Sequence, residues 1–109
     1  MNKKIDNKYT TVMKNMRIFP IDRRVRFTEN VNSSDIYIRF TETGSPIAYG
    51  QSALFLNRYF PEYPIVRVYG PGNEECLIVS DFSLEKVLER FDEHQQLVDD
   101  TCIRIMEVV

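Results

Sequence analysis

Residues 35–41 read Asp-Ile-Tyr-Ile-Arg-Phe-Thr, and apolar and polar side chains alternate along this stretch. Successive side chains of a β-strand point to opposite faces of the sheet, so Ile36, Ile38 and Phe40 would share one face. A strict period of two is typical of a strand with one buried face. The stretch therefore predicts a strand that is buried on one side.

Two shorter strands are predicted on its N-terminal side. Residues 24–28 alternate as Arg-Val-Arg-Phe-Thr, and residues 16–21 form an apolar run that Pro20 confines to a strand end or a sheet edge. The loop that follows Phe27 is short, which favours a hairpin between residues 24–28 and the strand at residues 35–41. Such a hairpin would bring the apolar sides of both strands to one face of a sheet.

Two helices and three strands are predicted on the C-terminal side. Turn residues over 43–46 lead either directly into a helix or into a short return strand at residues 46–49. The first helix is indicated by an apolar stripe at helical spacing, and the second by the N-cap Ser83 inside a hydrophobic staple. The stripe consists of Tyr49, Ala53, Leu56 and Phe60, and the staple consists of Phe82 and Val87. The second helix is predicted to extend to Val98. The three strands are predicted over residues 65–69, 76–80 and 102–108.

The order of these elements predicts an α+β domain with a mixed sheet of five to six strands and two helices on one face. Over residues 35–109 they run strand, helix, strand, strand, helix, strand, which is the ferredoxin-like order, here preceded by an N-terminal strand pair. Each helix would then be a right-handed crossover between parallel strands. The ferredoxin-like order places the strand at residues 35–41 inside the sheet, with a neighbouring strand on each side. A hairpin with residues 24–28 would occupy one of these two sides, so both arrangements cannot hold in one sheet. The strand order therefore stays open.

Length and composition predict one globular domain. The chain has 109 residues, of which 43% are hydrophobic and 28% are charged, a balance typical of such proteins. Residues 1–15 are polar and carry four lysines, so we expect either a flexible N-terminal tail or a segment that orders on a partner, before a domain over residues 16–109. No apolar run approaches the ~18–20 residues of a membrane-spanning helix, and the N-terminus does not resemble a secretory signal. We therefore expect a cytoplasmic protein without a membrane partner.

Few residues of this sequence could carry catalysis or bind a cofactor. The chain has one histidine, His94, and two cysteines, Cys76 and Cys102, which form no CxxC motif and no Cys/His cluster. No nucleophile elbow, phosphate-binding loop or dinucleotide fingerprint is present. We therefore predict no cofactor, no metal site and no catalytic residue. A small-ligand sensor or an enzyme of unknown type is kept as an alternative.

A basic and aromatic group suggests a binding surface. If the two alternating strands pair as a hairpin, Arg24, Arg26, Tyr37 and Arg39 share the outer sheet face. Guanidinium groups bind phosphates or carboxylates, and a tyrosine ring offers a stacking surface. Open sheet faces of this kind read single strands in RNA-recognition domains, although the aromatic motifs of that family are not present here. The group therefore predicts a partner site or an anion site, with single-stranded nucleic acid as one ligand.

Binding of another protein is the first hypothesis. Tyr63, held between two prolines, and the nearby Tyr59 are predicted as anchors for a protein partner. Residues 1–30 carry eight Lys/Arg and three Asp/Glu, against six and thirteen in the remainder. Such a separation of charge favours docking to a charged partner or to a second copy of the chain. We therefore predict a small adaptor, inhibitor or self-associating module.

Overall fold

The described part of the chain, residues 22–70, 74–94, 96–99 and 101–109, folds into three helices and six strands in the computed structural model. The predicted strand at residues 16–21 and the predicted segment at residues 1–15 lie outside these residues. The helices are α1 (Arg23–Val31), α2 (Gly50–Tyr59) and α3 (Leu84–Arg90). The strands are β1 (Ile36–Phe40), β2 (Pro46–Tyr49), β3 (Val66–Tyr69), β4 (Glu75–Ser80), β5 (Gln96–Val98) and β6 (Ile103–Ile105).

The six strands form one sheet in the order β3-β4-β2-β1-β6-β5. Neighbouring strands are antiparallel throughout. The predicted α+β class is therefore confirmed, whereas the expected parallel neighbours do not occur among the described strands. On β1, Ile36 and Ile38 are fully buried while Tyr37 and Arg39 lie on the opposite face. The alternation predicted for this strand is confirmed.

The ferredoxin-like strand order is not confirmed, because β2 lies between β1 and β4, which that order would make neighbours. The chain reverses directly after β1. Thr41 N donates to the Ser45 carbonyl at 2.9 Å, and Gly44 adopts a φ of +85°, a value that favours glycine in a tight turn. Of the two alternatives for residues 46–49, the return strand is therefore the one that forms.

The strand predicted over residues 24–28 is wrong, because these residues lie in α1. Asp22 is the N-cap of this helix: its carboxylate accepts a hydrogen bond from Arg24 N at 2.7 Å. Val25 and Glu29 are four residues apart and therefore share the inner side of the helix. An alternation over five residues is too short to separate a strand from a helix, and only the longer segment reveals the helical spacing.

The second predicted helix begins where the sequence indicates. The Ser83 hydroxyl accepts a hydrogen bond from Lys86 N at 3.1 Å, as an N-cap residue does. Phe82 and Val87, the two residues of the predicted staple, are both buried. The prediction for the start of α3 is therefore confirmed.

The same helix is shorter than predicted. It ends at Arg90, and residues 96–98 form β5 instead of a further helical turn. The Gln96 side-chain amide donates to the carbonyls of Leu88 and Phe91 at 3.2 and 3.0 Å. A helix leaves such carbonyls without partners at its C-terminus. A side chain from β5 thus satisfies groups that a longer helix would have paired internally.

Two apolar clusters lie on the two faces of the sheet. Helices α2 and α3 pack into the larger cluster, whose largest fully buried side chain is Phe91. Helix α1 lies against the other face, where Val25 packs on a smaller cluster. The larger cluster includes Ile36, Ile38, Ala53, Leu56, Val79, Val87, Phe91 and Ile105, and the smaller one consists of Ile47, Tyr49, Val68 and Ile78.

Candidate protein-binding groove

A groove, here called the α1 groove, runs between α1 and the neighbouring β1 and β6. It lies on the sheet face that carries the smaller apolar cluster. Its volume is about 360 Å³, at the small end of the range for ligand pockets. The lining residues are Phe27, Thr28, Val31, Asn32, Ser33, Ser34, Asp35, Tyr37 and Arg104.

One rim of the α1 groove is apolar. Phe27 and Val31 are 68% and 63% exposed, although both are large apolar side chains. They are four residues apart on α1, so they form one continuous strip, here called the apolar strip. Single exposed apolar residues are ordinary, but a strip beside a concave surface is typical of a protein-interaction site.

The floor of the groove is the Tyr37 ring, which has two cations close to it. The guanidinium carbons of Arg39 and Arg104 lie 5.4 and 5.3 Å from the centre of the Tyr37 ring. At this distance each cation is attracted to the ring. The two arginines therefore hold the ring in place on a half-buried sheet face.

A buried carboxylate, Asp35, fixes one of these arginines. Arg104 Nε and Nη2 each lie 2.8 Å from Asp35 Oδ2, and Asp35 Oδ1 accepts from Glu107 N at 2.9 Å and from the Ser34 hydroxyl at 2.8 Å. Burial is the largest influence on the pKa of Asp35 and would raise it, but these hydrogen bonds outweigh it and hold that pKa below its usual value. Asp35 is therefore ionised at neutral pH.

A second buried carboxylate, Glu29, joins α1 to the start of α2. Its Oε1 accepts a hydrogen bond from Ser52 N at 2.8 Å, and its Oε2 accepts one from the Ser52 hydroxyl at 2.7 Å. Arg39 Nη1 lies 3.8 Å from Oε2. Burial raises the pKa of Glu29 above its usual value, and the hydrogen bonds from Ser52 and Asn32 and the charge of Arg39 offset only part of that effect. Glu29 thus links three elements of the fold.

The four residues predicted to share one sheet face are divided between two elements. Tyr37 and Arg39 lie side by side on β1, as the alternation predicts. Arg24 and Arg26 lie on α1, where residues two apart point in nearly opposite directions. Arg24 is almost fully exposed and lies 3.6 Å from Asp22 Oδ1, whereas Arg26 lines a separate crevice beside Cys76. The structure therefore does not bring the four side chains onto one surface.

The two predicted anchor tyrosines are half-buried parts of the fold. The Tyr59 hydroxyl donates to the Val108 carbonyl, and the ring packs edge-on against Phe91. The Tyr63 hydroxyl accepts from Ser83 N at 3.3 Å. Each side chain therefore has partners within the chain, and a role for either as an anchor stays a prediction.

The residues that could carry chemistry lie apart. Burial raises the pKa of the thiols of Cys76 and Cys102, so both are protonated at neutral pH and are weak nucleophiles. The ring of His94 packs edge-on against Phe91. Within the described ranges, no group of three His, Cys, Asp or Glu side chains could hold a metal ion.

Sequence reasoning missed the apolar strip, Asp35 and Arg104. A signal for the strip was present, because Phe27 and Val31 have helical spacing and Asp22 stands where an N-cap would. The pairing of Asp35 with Arg104 joins residues that are distant in sequence, so a single sequence holds no local signal for it.

The comparisons with known proteins add no relative. No family model matches the chain, no curated protein matches it, and no solved structure matches it. In the part of the chain that the structure covers, no helix has the length and apolar character needed to span a membrane. The functional conclusion therefore rests on the geometry of the site.

Proposed function

We propose that this domain is a non-enzymatic module that binds another protein through the α1 groove. The observation that carries the proposal is the apolar strip, Phe27 and Val31, which is well exposed beside a concave surface. A partner side chain in the groove would cover the strip and contact the Tyr37 ring, and so remove apolar area from water. An adaptor, an inhibitor and a self-associating module are forms of this function.

The distribution of charge around the groove favours an acidic partner segment. Arg23 and Arg24 are exposed at the start of α1, and Arg104 is half-exposed in the groove wall. Of the carboxylates nearby, Glu29 and Asp35 are buried, whereas Asp22 and Glu107 are exposed. Three arginines therefore stand against two carboxylates at the surface, which leaves a small excess of positive charge. A segment in which carboxylates flank an apolar side chain complements this surface.

Single-stranded nucleic acid is the second candidate ligand. It is favoured by the Tyr37 ring, which has the guanidinium groups of Arg39 and Arg104 close to it on a half-buried sheet face. Both arginines already lie beside buried carboxylates, which reduces the charge that they offer to a phosphate and to a partner carboxylate alike. We also propose a cytoplasmic location, with which the two free, half-buried cysteines are compatible.

The test is an NMR titration of the ¹⁵N-labelled domain with two peptides and one nucleic acid. The peptides contain leucine with glutamate (the Leu/Glu peptide) and leucine with lysine, and the nucleic acid is mixed-sequence single-stranded RNA. We expect the Leu/Glu peptide to shift the amide signals of α1 and β1 and to saturate. Phe27→Ser/Val31→Ser should weaken its affinity at least about tenfold, because the strip would be a central contact.

The matched control is Val98→Ser, since Val98 is 68% exposed on β5 and does not line the groove. This variant should bind the Leu/Glu peptide with wild-type affinity. Equal affinity for both peptides, or equal losses in the double variant and the control, would contradict the proposal. Binding of the RNA that survives Phe27→Ser/Val31→Ser and is lost in Tyr37→Leu, which removes the stacking ring and leaves both ion pairs in place, would favour the second candidate.

A further inference from the structure

Helix α1 turns toward the sheet a side that carries a buried carboxylate beside Val25. Glu29 is the one buried residue of this helix, while Phe27 and Val31 are well exposed. A helix on an apolar surface ordinarily buries its large apolar side chains and exposes its glutamates. Because residues two apart on a helix lie roughly 200° from each other, a rotation of α1 by about half a turn would exchange the two sides. Something in the structure must therefore oppose that rotation.

The contacts of Glu29 oppose the rotation. The carboxylate accepts two hydrogen bonds from Ser52, at 2.8 Å from the backbone amide and 2.7 Å from the hydroxyl. It also accepts from Asn32 Nδ2 at 3.3 Å and lies 3.8 Å from Arg39 Nη1. A buried carboxylate is tolerated only where donors and positive charge surround it. In the part of the chain that the structure describes, these donors surround Glu29 at the start of α2, so they favour the orientation of α1 that buries this carboxylate there.

The start of α2 is built to receive this carboxylate. Its N-cap residue, Tyr49, makes no side-chain capping hydrogen bond, so Glu29 supplies the cap from another helix. Gly50 adopts a φ of +53°, and a Cβ at this position would lie 2.9 Å from the Glu29 Cβ. The absence of a side chain at Gly50 lets the two helices approach closely enough for the hydrogen bonds to form.

We infer that Glu29 is a positioning residue that holds α1 with the apolar strip facing outward and so creates the binding surface of the α1 groove. This inference rests on the proposed function for its biological purpose. It differs from a general role in stability, because it concerns which side of α1 faces the sheet. Val25, on the inner side of the helix, and Val31, on the outer side, report that orientation directly.

The experiment measures how strongly a soluble gadolinium chelate relaxes the methyl groups of Val25 and Val31. In the wild-type protein we expect stronger relaxation at Val31. Glu29→Lys places a cation against Arg39 and the start of α2, which should turn the other side of α1 toward the sheet. The ratio of the relaxation at Val31 to the relaxation at Val25 should therefore fall below one. The same variant should also weaken binding of the Leu/Glu peptide at least tenfold. Glu29→Gln, which keeps one acceptor for Ser52 N, should retain the wild-type order of exposure and lose less affinity.

The matched control is Glu89→Lys, on the exposed side of α3. This variant should change neither the relaxation ratio nor the affinity for the Leu/Glu peptide. A wild-type ratio in Glu29→Lys overturns the inference, whatever happens to binding. Loss of the sheet signals in both Glu29 variants also overturns it, since Glu29 would then support the fold as a whole. If Glu29→Lys reverses the ratio but leaves the peptide affinity unchanged, the positioning role is supported and the proposed function is overturned. Failure of the inference can therefore be told apart from failure of the proposed function.

Discussion

Gly44 and Gly50 both adopt a positive φ, and they differ in what surrounds them. Gly44 lies in the turn between β1 and β2, with open space where a Cβ would be, whereas a Cβ at Gly50 would meet Glu29 at 2.9 Å. Both positions would strain a non-glycine backbone. Only Gly50 adds a steric conflict with a neighbouring element, so the same substitution has different consequences at the two sites.

Gly50→Ala is expected to destabilise the domain by about 1–3 kcal/mol, and Gly44→Ala by about 1 kcal/mol. The difference between them measures the cost of separating α1 from α2. Urea unfolding followed by circular dichroism gives both values. Equal losses in the two variants would show that the close approach of Glu29 to Gly50 does not constrain the fold.

At the scale of elements, the short helix α3 depends on caps at both of its ends. It has seven residues, fewer than an isolated helix needs to be stable in water. Ser83 caps its start, and Gln96 satisfies carbonyls at its end. The side chain of Gln96 therefore ties the position of β5 to the length of the helix.

Gln96→Ala is expected to lower the free energy of unfolding by about 1–3 kcal/mol, because it removes the side-chain donor to the carbonyls of Leu88 and Phe91. The Phe91 carbonyl keeps a hydrogen bond from His94 N at 2.9 Å, so the loss falls mainly on Leu88. Amide hydrogen exchange should accelerate in α3 and β5 more than in β1. Glu89→Ala, an exposed change on the same helix, serves as the control. A uniform acceleration across the sheet would refute the local role of Gln96.

Elements with a clear period or cap were predictable from the sequence, and those that depend on distant contacts were not. The alternation at β1 and the cap at Ser83 are local signals, and both predictions are confirmed. The end of α3 depends on Gln96, which reaches back from another strand. The orientation of α1 depends on Ser52, twenty-three residues after Glu29. Of the residues that line the candidate groove, only Tyr37 was therefore predictable as part of a site.

At the scale of the whole molecule, two buried carboxylates connect elements that are far apart in the chain. Asp35, beside β1, contacts Arg104 on β6 and Glu107 after it. Glu29 connects α1, α2 and β1. Their pKa values are displaced in opposite directions. The folded state therefore favours the ionised form of Asp35 and the protonated form of Glu29, each relative to the unfolded chain.

Asp35→Asn is expected to remove part of the stability that the domain has at neutral pH. The lowered pKa of Asp35 stabilises the fold above the ordinary aspartate pKa of about 3.9, and this contribution is lost as the pH falls through the lowered value. The difference in urea midpoint between wild type and variant should thus shrink in acid. Asp92→Asn, an exposed change, is the control. A difference that stays constant with pH would disagree with this account.

The antiparallel order of the sheet has a consequence for how quickly the chain reaches its native state. Three neighbouring pairs, β1 with β2, β3 with β4 and β5 with β6, join strands that are consecutive among the described elements. Hairpins of this kind close short loops and form within microseconds. The pairings of β2 with β4 and of β1 with β6 bring distant segments together and carry a larger loss of chain entropy. We therefore expect the slow step of folding to be the joining of preformed hairpins.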